Sequence, residues 1–364
     1  MQQDIISGNI WTLLGLPIDA VSEDDAVAYL HHAIVNDQRC FLTTPNLNFV
    51  ISAMSDADFK RSVIESDFII ADGMPLVWLS KLLGMAINER VTGSGVFQRL
   101  RFCGSKDNPI KVFFFGGPEG VAEQAFKNLN DEDSPMQAAG FYYPGFGSIN
   151  EMSEPHIINT INESGANFLV VALGAKRGQE WIMRNKSKLQ TPVISHLGAV
   201  VNFVGGTVAR SPVFLQRIGF EWLWRIYEEH SLLKRYWNDG LTFLNTLLTR
   251  VAPLWWYRRC GEKRLMVSNE LNIFSSLGLN ELFLTCSGVM AATNVDLLFD
   301  YVTEFFNIHI SIDLTGIDYL DFSAMASLQL IESKCKLAGG KLVLINPQAH
   351  VRRALEHNML SYLL

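Results

Sequence analysis

The chain has 364 residues, 48% of them apolar, and a formal net charge of -7. That length favours two domains over one, the apolar content excludes a disordered chain, and the acidic balance speaks against a phosphate-tracking nucleic-acid binder. The five cysteines, Cys40, Cys103, Cys260, Cys286 and Cys335, are widely spaced without a CxxC pair; reduced, mostly buried thiols are expected, not a disulfide framework or a zinc site. The opening MQQDIISGNI lacks a basic stretch followed by an apolar one, and no run of 18 apolar residues occurs. Neither a signal peptide nor a spanning helix is expected.

The first ~200 residues alternate strand-like and helix-like segments, the pattern of an α/β domain whose helices cover a largely parallel sheet. Strands are predicted at Cys40–Thr44, Phe68–Ala71, Lys111–Phe115, Phe168–Leu173 and Val193–His196. Helices are predicted near Leu47–Ser55, Leu76–Leu83, Gly120–Leu129 and Gly178–Lys188. The character changes at Gly205-Gly206. Between Arg210 and Arg264 the chain carries ten Lys/Arg against five Asp/Glu, a balance of +5, and five of its eight tryptophans: Trp222, Trp224, Trp237, Trp255 and Trp256. A basic, Trp-rich helical segment suits an interfacial membrane contact, because cations meet anionic headgroups while indoles sit at the boundary. The alternative is a helical subdomain that packs its aromatics on the main body.

A polar stretch near Gly261–Glu270 reads as a linker. Beyond it a second α/β unit is predicted, with strands at Leu282–Thr285, His309–Leu314 and Lys341–Ile345. Its helices lie near Asn294–Phe306, Ala324–Leu337 and Gln348–His357, and Pro347 suits the start of the last one. The expected domains are 1–204, 205–262 and 268–364.

Ligands of open α/β sheets bind beyond the carboxyl ends of the strands, so polar residues there come first. Three clusters stand out: Thr43-Thr44-Pro45-Asn46, Ala71-Asp72-Gly73, and the glycine turn Phe115-Gly116-Gly117-Pro118-Glu119-Gly120. Asp72 leaves an apolar strand and precedes a glycine, which fits either a catalytic base or a helix-capping aspartate. The glycine turn can offer backbone N–H groups to a diphosphate, or can serve packing alone; it is neither GxGxxG nor a P-loop. His196 ends an apolar strand and reads as a structural histidine. No HExxH spacing and no GxSxG elbow appears, so neither metal catalysis nor a serine nucleophile has support.

The order TTPNLNFV (43–50), ADGMPLVW (71–78), LLG…ERVTGSG (82–95), VFFFGGPEGVAEQA (112–125), LVVALGA (169–175), HLGAVVNFVGGTVARSP (196–212) and GFEWLWRIYEEH (219–230) resembles the WecG/TagA/CpsF glycosyltransferases, glycosyltransferase family 26. The likeness covers about the first 245 residues and rests on collinearity. It implies a Rossmann-like catalytic domain with a helical C-terminal appendage. It also implies an inverting, cofactor-free and metal-independent transfer of an N-acetylhexosamine, typically N-acetylmannosamine, from UDP to N-acetylglucosamine on a polyprenyl diphosphate. By motif match Asp72 is the base, Thr44, Asn46 and Arg90 belong to the substrate pocket, and Gly116 and Gly117 line it. Arg225 and, more loosely, Arg235 match arginines that meet the acceptor diphosphate and the membrane. The family's Gly-x-Pro-Lys-Gln-Glu becomes Gly174-Ala175-Lys176-Arg177-Gly178-Gln179, and an aspartate becomes Asn202. Donor contacts at those positions are not carried over.

Residues 312–324, IDLTGIDYLDFSA, and 340–347, GKLVLINP, resemble a STAS domain, the small α/β fold of anti-sigma-factor antagonists. The resemblance makes Ser323 the counterpart of a phosphorylated serine, here followed by Ala324 instead of glycine, with helix capping as the other role. It implies a kinase or anti-sigma-like partner. The whole reads as an enzyme on the inner face of the cytoplasmic membrane, with a UDP-sugar and a lipid-linked acceptor as partners and no nucleic acid. A catalytically weak scaffold regulated through the STAS domain is the alternative. A nicotinamide dehydrogenase is disfavoured by the missing GxGxxG.

Overall fold

The computed structural model describes residues 9–105, 107–208, 214, 224, 227, 232–265 and 270–364. The chain opens with an antiparallel hairpin, β1 (Ile10–Leu13) and β2 (Leu16–Asp19), closed by Leu14 and Gly15 at φ 50° and 83°. Such two-residue turns need left-handed backbone, which glycine takes without cost and leucine does not. Nearly every hairpin residue is buried, so no polar alternation betrays the strands. Helix α1 (Glu23–Val35) follows, started by a Ser22–Asp25 capping box.

The N-terminal body then runs β3 (Cys40–Thr43), α2 (Leu47–Ser55), α3 (Ala57–Ile64), β4 (Phe68–Ile69), α4 (Met74–Leu83), α5 (Gly93–Leu100), β5 (Lys111–Gly116), α6 (Val121–Asp131), β6 (Gln137–Tyr142), α7 (Pro155–Glu163), β7 (Phe168–Ala172), α8 (Ala175–Asn185), β8 (Val193–His196) and α9 (Gly198–Val204). Among the described residues β4-β3-β8-β7-β5-β6 form one parallel sheet in that order. Central strands are apolar on both faces because helices cover both. Phe68, Phe97, Phe114 and Phe168 pack on one face; Phe115, Trp181 and Ile194 pack on the other.

Helix α10 (Leu232–Thr246), a π-helical turn (Leu247–Val251) and α11 (Ala252–Leu265) follow one another directly. The stretch read as a linker from Gly261 is therefore helical as far as Leu265. Tertiary contacts explain this: the Tyr319 ring lies against Gly261, where a side chain would overlap it, and Arg264 donates to the Asp318 carbonyl.

The C-terminal unit contains β9 (Leu271–Leu277), β10 (Glu281–Met290), α12 (Val295–Val302), β11 (His309–Leu320), α13 (Phe322–Leu337), β12 (Lys341–Ile345) and α14 (Ala349–His357). Its sheet order is β12-β11-β10-β9, with β9 antiparallel at one edge. The unit is docked, not tethered. Leu13, Leu14 and Ile18 of the hairpin share one apolar cluster with Met325, Leu328, Val351 and Leu355. Asn358, fully buried, accepts from the Gly15 N–H at 3.3 Å and donates to the Thr12 carbonyl at 3.3 Å. Gln329 donates to the Gly15 carbonyl at 3.0 Å, and Lys60 to that of Met359 at 2.5 Å.

Candidate active site

The loop after β4 carries Asp72. Its backbone N–H donates to the Pro45 carbonyl at 2.8 Å, tying the β4 exit to the β3 exit. The N-cap of α4 is Gly73, without a side-chain cap bond, so Asp72 is not spent on capping that helix. Its Oδ2 accepts from the Gly93 N–H at 3.3 Å, and the Arg90 Nε stands 3.8 Å from Oδ1. The Asp72 side chain keeps 27% exposure against 15% for Arg90. An ionised carboxylate held by donors on one side and open on another can accept a proton from a substrate hydroxyl.

The segment that supplies Arg90 is aligned by Val91, whose N–H donates to the Ala71 carbonyl at 3.0 Å. Gly93 then opens α5 in a space where a side chain would overlap Leu197 and crowd Thr44. Thr44 is buried at the β3 exit. Asn46 stands beside Gly73 and caps α2, its Oδ1 accepting from the Phe49 N–H at 3.2 Å. Beneath them Gln179 donates to Thr43 at 2.9 Å, and Thr43 meets the Ser66 hydroxyl at 2.6 Å. This buried polar chain fixes the floor under Thr44.

Gly116 and Gly117 lie three strands from β3 in the sheet order, with φ of 92° and 86°. Gly117 donates to the Ala172 carbonyl at 2.7 Å, and a Cβ on Gly116 would stand 2.7 Å from the same oxygen. Glycine is required there by both conformation and approach. Between the two groups of residues, at the end of β8, lies His196. Among the described residues no three His, Cys, Asp or Glu side chains gather as a metal site.

Asp72, Arg90, Thr44 and Asn46 therefore come together, with Gly116 and Gly117 along the same sheet edge. Arg225 lies outside the described residues. Arg235 falls within α10. Ser323 is remote, in the first turn of α13, fully buried, its hydroxyl without a hydrogen-bond partner among the described residues. The cap expected of it is supplied by Asp321, which accepts from the Ala324 N–H at 2.7 Å. Gly93 escaped the reading of single residues, although the ERVTGSG stretch contains it.

Two families match the chain, one after the other. The sequence model of the glycosyl transferase WecG/TagA/CpsF family matches residues 11–255, and that of the STAS domain matches 275–361. An N-acetylglucosaminyldiphosphoundecaprenol N-acetyl-beta-D-mannosaminyltransferase of Bacillus spizizenii is 25% identical over 210 residues, which are 57% of this chain and 79% of that protein. The protein of the same name from Bacillus subtilis is 24% identical, over 54% of this chain and 74% of its own length. A crystal structure of an antisigma-factor antagonist STAS domain from Rhodobacter sphaeroides covers 26% of this chain and 96% of that one, at 15% identity and a TM-score of 0.19. With the family match spanning more than half of its length, the chain belongs to the WecG/TagA/CpsF family of glycosyl transferases and carries a C-terminal STAS domain.

Proposed function

We propose that the protein transfers N-acetylmannosamine from UDP to N-acetylglucosamine on a polyprenyl diphosphate, with inversion, and that Asp72 is the base. The names of the relatives support the transferred sugar and the acceptor. In this mechanism Asp72 takes the proton of the acceptor hydroxyl as its oxygen attacks the anomeric carbon. The bond from that carbon to the diphosphate oxygen breaks, and UDP leaves with the electron pair. Backbone N–H groups of the turn that follows Gly117, whose own N–H is bonded to the Ala172 carbonyl, and the N-terminus of α6 supply dipoles for the leaving charge. Arg90 and the Gly93 N–H orient the base, while Thr44 and Asn46 line the same pocket.

One observation carries the reading: an aspartate at the carboxyl edge of a parallel sheet, unused as a helix cap, partly open, and held by Arg90. The test is a transfer assay with a polyprenyl-diphosphate N-acetylglucosamine analogue and a panel of UDP-sugars. Turnover of one donor by the wild type, lost in Asp72→Asn, supports it; undiminished turnover in that variant removes Asp72 from the mechanism.

The acceptor is a lipid, and α10 supports a membrane-facing role on the inner face of the cytoplasmic membrane. Leu233, Trp237, Leu241, Leu244 and Leu248 follow at steps of three and four and are each more than half exposed. Among the described residues no helix is long and apolar enough to cross a membrane. Helix α10 itself lies against α2, where Asn48 donates to Asp239 at 3.2 Å, and the stripe is on the side of α10 turned away from that contact. An exposed apolar stripe with tryptophan in a basic segment fits interfacial binding.

Regulation through the STAS domain completes the proposal. Helix α11 bridges the two parts: Arg258 donates to the Leu82 carbonyl at the end of α4, at 3.2 Å, and Tyr257 both donates to and accepts from the Leu320 backbone, at 3.0 Å each way. Asp72 lies just before α4, so movement of the STAS domain has a rigid route to the base. In this docked arrangement a kinase reaches Ser323 only if α13 opens.

A further inference from the structure

His196 ends β8 in the middle of the sheet edge. Two strand steps separate β8 from β4, which leads to Asp72, and two separate it from β5, which ends at Gly116. At about 4.8 Å per step, each flank is roughly 10 Å away. The imidazole occupies space that two glycines keep clear. A Cβ on Gly178, in the first turns of α8, would overlap the ring, and a Cβ on Gly198 would sit 3.7 Å from Nε2. The residue as a whole is partly exposed, yet its Nε2 is buried and has no hydrogen-bond partner among the described residues. A buried nitrogen left unpaired costs about 1–3 kcal/mol. A histidine kept only to fill volume would be replaced without that cost by a leucine.

Resting on the transferase reading above, we infer that His196 recognises the transferred sugar of the nucleotide donor, through a hydrogen bond to one of its hydroxyl or acetamido groups. The position selects the sugar over the other parts of the donor. A donor with its diphosphate at the Gly116-Gly117 turn, and its anomeric carbon presented towards Asp72, lays its sugar across β8. The chemistry agrees. Burial pushes the His196 imidazole down to about 4, so near neutral pH it is uncharged and offers phosphate no opposite charge. A neutral imidazole instead matches a neutral hydroxyl or amide. Gly178 is part of the same device, since any side chain there displaces the ring.

The experiment compares affinities for UDP and for the UDP-sugar that the wild type turns over, by titration calorimetry, in wild type, His196→Leu, His196→Gln and Gly178→Ala. Circular dichroism melting verifies that each variant is folded. His196→Leu is expected to weaken UDP-sugar binding about tenfold, the loss of one hydrogen bond, with UDP affinity unchanged within twofold. His196→Gln, which retains a polar end, restores most of the loss, and Gly178→Ala reproduces it. Equal weakening of UDP and UDP-sugar, or an unchanged UDP-sugar affinity in His196→Leu, overturns the assignment. A wild type that binds neither UDP nor any UDP-sugar overturns the transferase reading itself, and this inference with it.

Discussion

Arg90 Nε stands 3.8 Å from Oδ1 of Asp72, while the opposite carboxylate oxygen accepts from the Gly93 backbone. The guanidinium acts through the base in this arrangement, as a positioning group. Arg90→Ala is expected to lower kcat about 10–100-fold, less than the roughly 10²–10⁴-fold loss in Asp72→Asn. The double variant should fall no further than Asp72→Asn alone. Steady-state kinetics of the three variants check this, and additive losses would mean that Arg90 acts independently of Asp72.

Asn358 joins the STAS unit to the hairpin with both ends of its amide. Asn358→Ala leaves the Gly15 N–H and the Thr12 carbonyl without those partners and should cost about 2–3 kcal/mol. Because Leu13 and Leu14 share a core with Met325 and Leu328, the whole chain is expected to unfold as one transition, shifted a few degrees downward in the variant. Scanning calorimetry decides it. Two separate transitions in the wild type would sink the idea of a common core.

Asp19 is buried under β4, its Oδ2 accepting from the Ile69 N–H at 2.7 Å, and burial pushes its carboxyl up to about 7. The unfolded group titrates near 3.8, so between about pH 4 and 7 the folded chain retains a proton the unfolded chain has lost. Stability therefore falls as pH rises through that window. Asp19→Asn keeps an oxygen acceptor for Ile69 and lacks the charge. It should exceed wild type by on the order of 2–4 kcal/mol at pH 8 and converge with it below pH 4. Urea midpoints at four pH values measure the difference; parallel curves would refute it.

The α10 stripe is tested with vesicles. Trp237→Ala combined with Leu241→Ala should reduce binding to anionic vesicles about tenfold or more, given about 25 cal/mol per Å² of apolar area. Raising the salt concentration should weaken binding of wild type and variant alike, because the basic groups remain. Vesicle affinity that ignores both the substitutions and lipid charge would count against the membrane face.

The central strands were legible because apolar runs such as Phe113–Phe115 and Leu169–Val171 can hardly be anything but strands buried on both faces. Helix starts were less so. Helix α8 begins at Ala175, three residues before its predicted start, because nothing in a Gly-Ala-Lys-Arg-Gly run marks a cap. The hairpin at Ile10–Asp19 left no periodic signal, since one side of it meets the transferase core and the other meets α13. Its strands are buried almost throughout, Thr12 and Asp19 included, for a reason that lies over 300 residues away.

The sequence by itself determined the two α/β units, the carboxyl-edge position of Asp72, Thr44 and Asn46, and the basic, Trp-rich character of the intervening segment. These follow from local periodicity, composition and collinear motifs, which need no partner to be read. Tertiary structure alone decided that Arg90 and Gly93 meet Asp72, that His196 fills the space left by Gly178, and that Ser323 is sealed. Each of these depends on the distance between atoms far apart in the chain, and that distance is set by strand order and by the packing of the STAS unit onto the hairpin.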